Sequence, residues 1–281
     1  MFVWSKLSAA KWMDAWEERF AGNPNLVIEM IKGGKSIRVR LFCASQKEAD
    51  AIVARFGGSV RKMATADWDK PVEAPRPVKV RDVFVLTAEK RPRELAALKK
   101  ANPKREIIVI PPEMAFGTGD HATTSTCLRL LVDVARARKG TAWTVADLGT
   151  GTGVLAIAAA AALHTRVIAS DIDKVSVIVA RENARLNRTA ALIAFVHAQG
   201  VAAHALRAPS PYDLIFANII LTPLKQLAAP LSKLLARNGR MVLSGLLPSH
   251  ANAALSAYRM QGLALERKMT LDGWCTLILR R

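Results

Sequence analysis

Glycines, carboxylates and an amide lie in patterns that could bind a small ligand. "VADLGTGTGVLAIAAAAA" (145–162) predicts a strand ending near Asp147, a turn through Gly149, Gly151 and Gly153, and a helix of small residues. Glycines let the backbone approach a ligand closely, and the start of a helix offers free backbone amides. The stretch therefore predicts a ligand site, and a tight structural connection is the alternative.

The spacing of these glycines selects among nucleotide-type ligands. The pattern is D-x-G-x-G-x-G, whereas a dinucleotide fingerprint is G-x-G-x-x-G and a P-loop continues into G-K-[ST]. An acid at the head of the turn, with no cradle for a pyrophosphate, favours S-adenosylmethionine, whose sulfonium and amino groups are cationic. We therefore expect S-adenosylmethionine as the cofactor.

The next strand ends in a second pair of carboxylates. In "RVIASDID" (166–173), Asp171 stands at the strand end, where a carboxylate can accept hydrogen bonds from both hydroxyls of a ribose. An aspartate before a helix can also cap it. We assign Asp171 to the cofactor and Asp173 to the helix cap.

A later strand ends in an amide. "DLIFANIILTPL" (213–224) places Asn218 where methyltransferases of amino groups have a polar side chain near the acceptor nitrogen. Enzymes acting on nucleobases or glutamine continue there with Pro-Pro-Tyr or Pro-Pro-Phe, but this chain has Ile219 and Ile220. Asn218 is the candidate catalytic residue, and its amide could form a hydrogen bond with the acceptor or with the cofactor. The alternative is that Asn218 is a structural asparagine in the turn that follows a buried strand.

The composition predicts a two-domain globular protein. The chain has 281 residues, of which 51% are hydrophobic and 23% charged. It has no apolar run of bilayer length, its first twenty residues are unlike a signal peptide, and its cysteines are far apart. We expect a cytoplasmic monomer with reduced cysteines and no membrane contact.

The charge is strongly positive, with 41 Lys and Arg against 23 Asp and Glu, a net charge of +18. Such a charge attracts nucleic acid and nucleoprotein. The charge is spread along the chain, and its densest run, residues 90–105, is typical of a solvated helix with basic flanks. We expect nonspecific contact with ribosomal RNA at most.

The elements that must position these residues divide into two groups. The pattern of residues 1–66 predicts a β-α-β-β-α-β order, which is typical of an α+β ferredoxin-like domain. Within it we expect helices at 8–21 and 45–56, the second capped by Ser45, and a hairpin turn at Gly33-Gly34. Residues 67–80 contain three prolines and predict an extended linker.

Residues 81–281 predict the larger domain. After a strand, a basic helix and the strand "EIIVI", helices alternate with five buried strands, and "LALERKM" and "WCTLILR" predict a closing antiparallel pair. Such alternation is typical of an α/β domain with a mostly parallel sheet covered by helices, whose ligands bind at the carboxyl ends of the strands.

Four motifs in order resemble one known family. "MAFGTGDHATTSTCL", "DLGTGTGVLAIAA", "DIDK" and "FANIILTPLKQLAAPL" are similar to the PrmA-type methyltransferases of ribosomal protein L11, from about residue 111 to the C-terminus. The resemblance implies a Rossmann-like class I fold with a seven-stranded sheet. It places S-adenosylmethionine contacts on Thr124, Gly149, Asp171 and Asn218, and it implies that a small N-terminal domain grips the ribosomal protein.

The resemblance also suggests a role for the loop "MAFGTGDHATT" (114–124). Asp120 and His121 are adjacent, with no spaced further ligands, so we expect no metal. The glycines, Gly117 among them, would fold over the methionine end of the cofactor, and Thr124 would present its hydroxyl at a helix start. Phe116 would either shield the sulfonium or pack against the domain.

The function expected from the sequence is S-adenosylmethionine-dependent methylation of lysine or α-amino groups on a large-subunit ribosomal protein, L11. Three alternatives stay open: a lysine methyltransferase of another protein, an RNA methyltransferase, which the positive charge would permit, and a non-catalytic binding module that kept the fold.

Overall fold

A computed structural model describes residues 2–20, 23, 25–31, 34–62, 76–111, 121–137 and 143–281. The chain divides into two compact units, Met1–Glu73 and Ala74–Arg281. This division falls inside the linker predicted at 67–80. Residues 67–75 of that linker lie outside the described residues, so its conformation and the predicted domain boundaries stay predictions.

The N-terminal unit contains one antiparallel sheet with strand order β2-β3-β1-β4. Its elements are β1 (Phe2–Ala9), α1 (Met13–Arg19), β2 (Leu26–Met30), β3 (Ser36–Cys43), α2 (Gln46–Phe56) and β4 (Ser59–Lys62). The β-α-β-β-α-β order is the predicted one. The strand order is compatible with a ferredoxin-like sandwich, a classification that stays a prediction.

One face of this sheet forms the core of the unit. Alternate residues of β3, from Ile37 to Cys43, are buried because successive side chains of a strand point to opposite faces. The fully buried Trp4 packs against Trp16 of α1 and Phe56 of α2. Aromatic burial on this face therefore fixes both helices on the same side of the sheet.

The beginning of the predicted helix 8–21 is wrong. β1 continues to Ala9 because Ser8 and Ala9 pair with Ile37 and Ser36 of β3, and a short 3-10 turn precedes α1. Trp12 is 54% exposed and does not contribute to the core. Of the predicted hairpin glycines, Gly33 lies outside the described residues and Gly34 has a φ of 70°.

The predicted cap of α2 is confirmed. The Ser45 hydroxyl accepts a hydrogen bond from the backbone N–H of Glu48 at 3.2 Å, and the Glu48 carboxylate accepts one from the backbone N–H of Ala44 at 3.0 Å. This reciprocal pair satisfies donors that the helix itself leaves free.

The C-terminal unit begins with a three-stranded sheet in the order β5-β6-β7. Its elements are β5 (Val78–Val80), β6 (Phe84–Thr87), α3 (Pro92–Ala101) and β7 (Glu106–Val109). The sequence predicts a single strand before the basic helix, but the chain turns between two strands, and β5 occupies the end of the predicted linker. β6 and β7 are parallel, as expected for strands that a helix connects.

The large sheet has seven strands in the order β10-β9-β8-β11-β12-β14-β13. Its strands are β8 (Val145–Leu148), β9 (Val167–Asp171), β10 (Ile193–His197), β11 (Tyr212–Asn218), β12 (Leu235–Leu246), β13 (Ala264–Leu271) and β14 (Trp274–Arg280). β8 to β12 pair in parallel, and the last two strands are antiparallel. The predicted Rossmann-like fold and the closing pair are both confirmed.

Besides α3, the helices of this unit are α4 (Ala122–Ala137), α5 (Val154–Leu163), α6 (Lys174–Leu186), α7 (His204–Arg207), α8 (Leu221–Gln226), α9 (Ala228–Leu234) and α10 (Ala251–Arg259). α5 is apolar all round and most of it is buried, because only a helix covered on every side can omit a polar face. Its small side chains permit close packing against its neighbours, and Ala156 to Ala160 are fully buried.

The cysteines, the start of β12 and the length of the helices test three further predictions. Cys43, Cys127 and Cys275 are free and buried, as predicted. β12 begins at Leu235, five residues before the predicted strand. In the described part of the chain, no helix is long and apolar enough to cross a membrane.

Candidate functional site

The candidate site lies at the carboxyl ends of three parallel strands. β8 ends before Gly149, β9 ends at Asp171 and β11 ends at Asn218. β8 and β11 are adjacent, and the chain leaves them toward opposite edges of the sheet, which makes a topological switch point. Ligands of open α/β sheets bind at such a point. The predicted site residues on three separate motifs therefore converge.

Any other residue at the first position of the turn after β8 would meet two obstacles. Gly149 has a φ of 66°, and a Cβ built there would lie 2.3 Å from Cγ2 of Ile219. Such a φ is costly for other residues, and the contact is sterically impossible without movement. Gly149 therefore lets Ile219, which follows β11, pack directly over the turn.

Asp171 holds the same turn in place. One of its carboxylate oxygens accepts a hydrogen bond from the backbone N–H of Gly151 at 2.9 Å, and the other accepts one from the backbone N–H of Asp173 at 3.0 Å. A carboxylate has further lone pairs, so both oxygens can still accept bonds from a ligand. Asp171 lines the cleft described below.

Gly153, predicted as a cofactor contact, does not lie among the residues that line the cleft. It precedes α5 with a φ of 82°, and a Cβ built there would lie 3.0 Å from Cβ of Ala180 on α6. Gly153 therefore has a packing reason to be glycine, and its predicted cofactor contact stays a prediction.

Asp173 caps α6, as predicted. Its carboxylate accepts hydrogen bonds from the backbone N–H groups of Val175 and Ser176, each at 3.0 Å, and from the Ser176 hydroxyl at 2.8 Å. The Ser176 bond holds the pKa of Asp173 below its ordinary value.

Asp173→Ala is expected to lower the free energy of unfolding by about 1 kcal/mol, because the first turn of α6 loses its cap. Affinity for S-adenosylmethionine should not change. Asp171→Ala is the matched variant, and it should weaken that affinity, measured by calorimetry, because the turn and the ligand both lose an acceptor. A large loss of affinity in Asp173→Ala alone would reverse the two assignments.

Asp147 lies beneath the turn and is almost completely buried. Burial raises its pKa from the ordinary value of 3.8 to about 7, although the Thr150 hydroxyl, which donates to its carboxylate at 2.6 Å, lowers it. The acid that heads the glycine motif is therefore protonated more readily in the folded protein than in the unfolded chain.

This shift predicts a pH dependence of stability. Between pH 3.8 and about 7 the folded protein binds more protons at Asp147 than the unfolded chain does, so this group makes stability fall as pH rises. Above about pH 7 the contribution is constant. Asp147→Asn, without cofactor, should remove this fall, as denaturant unfolding across the window would show. An unchanged pH profile in the variant would contradict the shift.

Asn218 and Thr124 meet above the end of β11. The Asn218 amide donates to the Thr124 hydroxyl at 3.5 Å, which is a long hydrogen bond, and Thr124 lies in the first turn of α4. The amide oxygen of Asn218 is buried and has no hydrogen-bond partner among the described residues. Buried polar atoms are almost always bonded, so this oxygen lacks a partner that such an atom normally has.

A buried polar network supports the start of α4. The Ser244 hydroxyl shares a hydrogen bond of 2.7 Å with the Thr276 hydroxyl and donates to the Thr123 carbonyl at 3.4 Å. The Thr123 hydroxyl is in turn bonded to the His121 ring at 2.7 Å. No local pattern predicts this network, because its members come from three segments that are distant in the chain.

One cleft of about 880 Å³ joins these residues. Its volume is in the range of small-molecule sites. Thr124, Gly149, Gly151, Asp171 and Asn218 line it, as the sequence predicts. The lining also includes Gln199 and Arg207, which lie in no quoted motif, and three residues of the motif "FANIILTPLKQLAAPL" to which the sequence assigns no role: Pro223, Gln226 and Pro230.

Two predicted contacts, Phe116 and Gly117, lie outside the described residues, as does Asp120 of the adjacent Asp-His pair. The expectation about a metal was made from that pair. Within the described ranges, no group of three or more His, Cys, Asp and Glu side chains could hold a metal ion.

Comparison with known proteins places the chain in a family. The profile of PrmA, described as ribosomal protein L11 methyltransferase, matches residues 27–281. The ribosomal protein L11 methyltransferase of Rhodopseudomonas palustris is 50% identical over 174 residues, which are 62% of this chain and 58% of that protein. That of Brucella suis is 33% identical over 287 residues and covers 99% of this chain and 98% of its own length.

A solved structure agrees. The ribosomal protein L11 methylase of Lactobacillus delbrueckii subsp. bulgaricus superposes with a TM-score of 0.59 at 29% identity, covering 73% of this chain and 98% of its own. The family profile matches more than half of the chain, and the matched residues include segments outside the motifs that line the cleft. The chain therefore belongs to the PrmA family of ribosomal protein L11 methyltransferases.

Proposed function

We propose that this protein transfers methyl groups from S-adenosylmethionine to amino groups of ribosomal protein L11. Family membership supports the reaction class and the substrate. The observation that supports the proposal chemically is the cleft, which Gly149, Asp171 and Asn218 line together, with the amide oxygen of Asn218 unsatisfied.

The residues fit the cofactor in three respects. A Cβ at Gly149 would collide with Ile219, and both residues line the cleft, so glycine preserves the shape of this wall. Asp171 retains acceptor capacity for two ribose hydroxyls. The cleft contains acidic and neutral acceptors near the turn, which suits the cationic groups of S-adenosylmethionine. Thr124, Gly149, Gly151, Asp171 and Asn218 would hold it.

The chain's own contribution to the reaction is positioning. Bound S-adenosylmethionine supplies an electrophilic methyl group. The attacking lysine or α-amino group must be neutral, and a cleft that excludes water favours the neutral amine by lowering its pKa. The oxygen of Asn218 would accept a hydrogen bond from an amine N–H and so direct the nitrogen lone pair toward the methyl group. Such orientation is worth orders of magnitude in rate.

The N-terminal unit would recognise L11. Its exposed aromatic Trp12, which has Lys11 over its ring at 5.3 Å, supports a role outside the core. The proposed protein is a monomer. Its proposed location is the cytoplasm, because ribosomal proteins are made and assembled there.

The test is methyl transfer from labelled S-adenosylmethionine into purified L11, the other ribosomal proteins and ribosomal RNA in parallel. Label on L11, at lysines or at its α-amino group, is expected. Label confined to another protein or to RNA would replace the substrate but keep the reaction class. Cofactor binding without any label would favour the non-catalytic alternative.

A further inference from the structure

Asn183 of α6 contacts the buried side of the glycine turn. Its side-chain amide donates a hydrogen bond to the backbone carbonyl of Thr152 at 3.0 Å. Both residues are buried, with 2% of Asn183 and none of Thr152 exposed. Gly151, before Thr152, and Val154, shortly after it, line the cleft, whereas Asn183 does not. Asn183 therefore reaches the wall of the cleft from behind.

The presence of asparagine at position 183 has no explanation within α6. Asn183 lies inside the helix, where asparagine is unfavourable because its side chain competes for backbone hydrogen bonds. Burial of an amide is also costly unless the amide finds a partner. The partner here is a carbonyl 31 residues away in the chain, so the amide serves a tertiary contact rather than the helix.

Two side chains bind adjacent residues of the turn. The Asp171 carboxylate, at the end of β9, accepts a hydrogen bond from the N–H of Gly151, and the Asn183 amide donates to the carbonyl of Thr152. All three glycines of the turn have a positive φ, and glycines give an unrestrained turn many alternative conformations. Each of the two hydrogen bonds excludes conformations in which its backbone group points elsewhere. Together they favour one shape of the turn before a ligand binds.

We propose that Asn183 is a positioning residue for S-adenosylmethionine, which acts through the carbonyl of Thr152. A ligand that binds a preformed turn does not have to order it, whereas ordering a mobile segment reduces affinity. Loss of the Asn183 hydrogen bond therefore weakens cofactor binding and leaves the chemistry beside Asn218 unchanged. This inference rests on the proposed function, because it takes S-adenosylmethionine as the ligand of the cleft.

The experiment measures affinity for S-adenosylmethionine by calorimetry, and methylation of L11 by steady-state kinetics, with the full chain. Asn183→Leu replaces the amide by an apolar group of similar size. It should weaken affinity for the cofactor about tenfold and raise KM for the cofactor by a similar factor. Neither kcat at saturating cofactor nor KM for L11 should change, because only cofactor binding is affected. A lower kcat with native affinity for the cofactor would overturn the proposal.

Asn102→Leu is the matched control. Asn102 is 3% exposed, follows α3, and donates from its side-chain amide to the carbonyl of Leu98 at 2.9 Å. Neither Asn102 nor Leu98 lines the cleft. The control should lower the free energy of unfolding but leave affinity for the cofactor unchanged. Equal losses of affinity in Asn102→Leu and Asn183→Leu, compared at equal folded fraction, would indicate a general effect of stability and would contradict the proposal.

Asn183→Ser covers the case in which leucine prevents folding. Its hydroxyl is carried on a shorter side chain, which cannot span the distance that the amide spans. This variant should weaken affinity for the cofactor by at least about threefold. Native affinity in Asn183→Ser would show that the turn does not need the amide.

Hydrogen exchange, followed by mass spectrometry on residues 148–155, tests the turn without cofactor. The N–H groups of Thr150 and Gly153 donate to the carbonyls of Ser170 and Thr150 at 3.0 and 2.8 Å. Asn183→Leu should accelerate exchange in this segment about tenfold, and Asn102→Leu should not. Unchanged exchange in Asn183→Leu would overturn the inference and leave the proposed function intact. Absence of S-adenosylmethionine binding in the native chain would instead contradict the proposed function, on which the inference rests.

Discussion

Replacing Gly149 by alanine is expected to abolish binding of S-adenosylmethionine and to lower the free energy of unfolding by about 2–4 kcal/mol. Two costs combine. The positive φ of 66° strains any residue with a Cβ, and the new methyl group would meet Cγ2 of Ile219 at 2.3 Å. Relief of that contact must displace the turn or the segment after β11, and both line the cleft. Denaturant unfolding and calorimetry measure the two effects.

Two controls separate strain from collision. Gly262 has a φ of 81° with nothing within 4 Å of a Cβ, so Gly262→Ala should show the conformational strain alone and leave cofactor binding intact. In an Ile219→Ala background, Gly149→Ala should cost less than in the native chain, because the colliding methyl group is gone. Equal costs in both backgrounds would show that Ile219 does not limit the turn.

Asn218→Ala is expected to reduce kcat for methylation of L11 by about a hundredfold. The variant loses the buried amide oxygen that would orient the acceptor amine. Folding should be little affected, because the oxygen has no partner among the described residues and the amide makes one long bond to Thr124. Steady-state kinetics and denaturant unfolding give the two readouts.

The comparison variants identify which ligand Asn218 contacts. Asn218→Asp keeps an acceptor oxygen and should retain part of the turnover, while Ile220→Ala, at an exposed neighbouring position, should retain all of it. A weaker affinity for S-adenosylmethionine with normal kcat would move Asn218 from the acceptor to the cofactor. Full activity of the Asn218→Ala variant would show that Asn218 has no role in the reaction.

The motifs with local signals were predictable. Gly149 follows a buried strand, and Asp171 and Asn218 each end one. The carboxyl ends of neighbouring parallel strands meet at one edge of the sheet, so the strand order brings these residues together. The helix caps at Ser45 and Asp173 were also predictable, because a cap depends only on residues within one turn of the helix.

Other features depend on distant segments. β1 continues to Ala9 because β3 offers a pairing partner there, and the local pattern of 8–21 contains no sign of it. The close approach of Gly153 to Ala180 has no local signal, because Ala180 lies on another helix. The hydrogen bonds from Ser244 to Thr276 and Thr123 join segments more than thirty residues apart.

The sequence by itself determined the class of the larger fold, the family and the glycine, acid and amide motifs of the cleft, because periodic burial and short-range spacing are encoded locally. The tertiary structure alone decided which atoms of the cleft remain unsatisfied, that Ile219 closes over Gly149, and that the amide of Asn183 meets the carbonyl of Thr152. Those properties arise from contacts between residues far apart in the chain, and a one-dimensional pattern contains no distance between them.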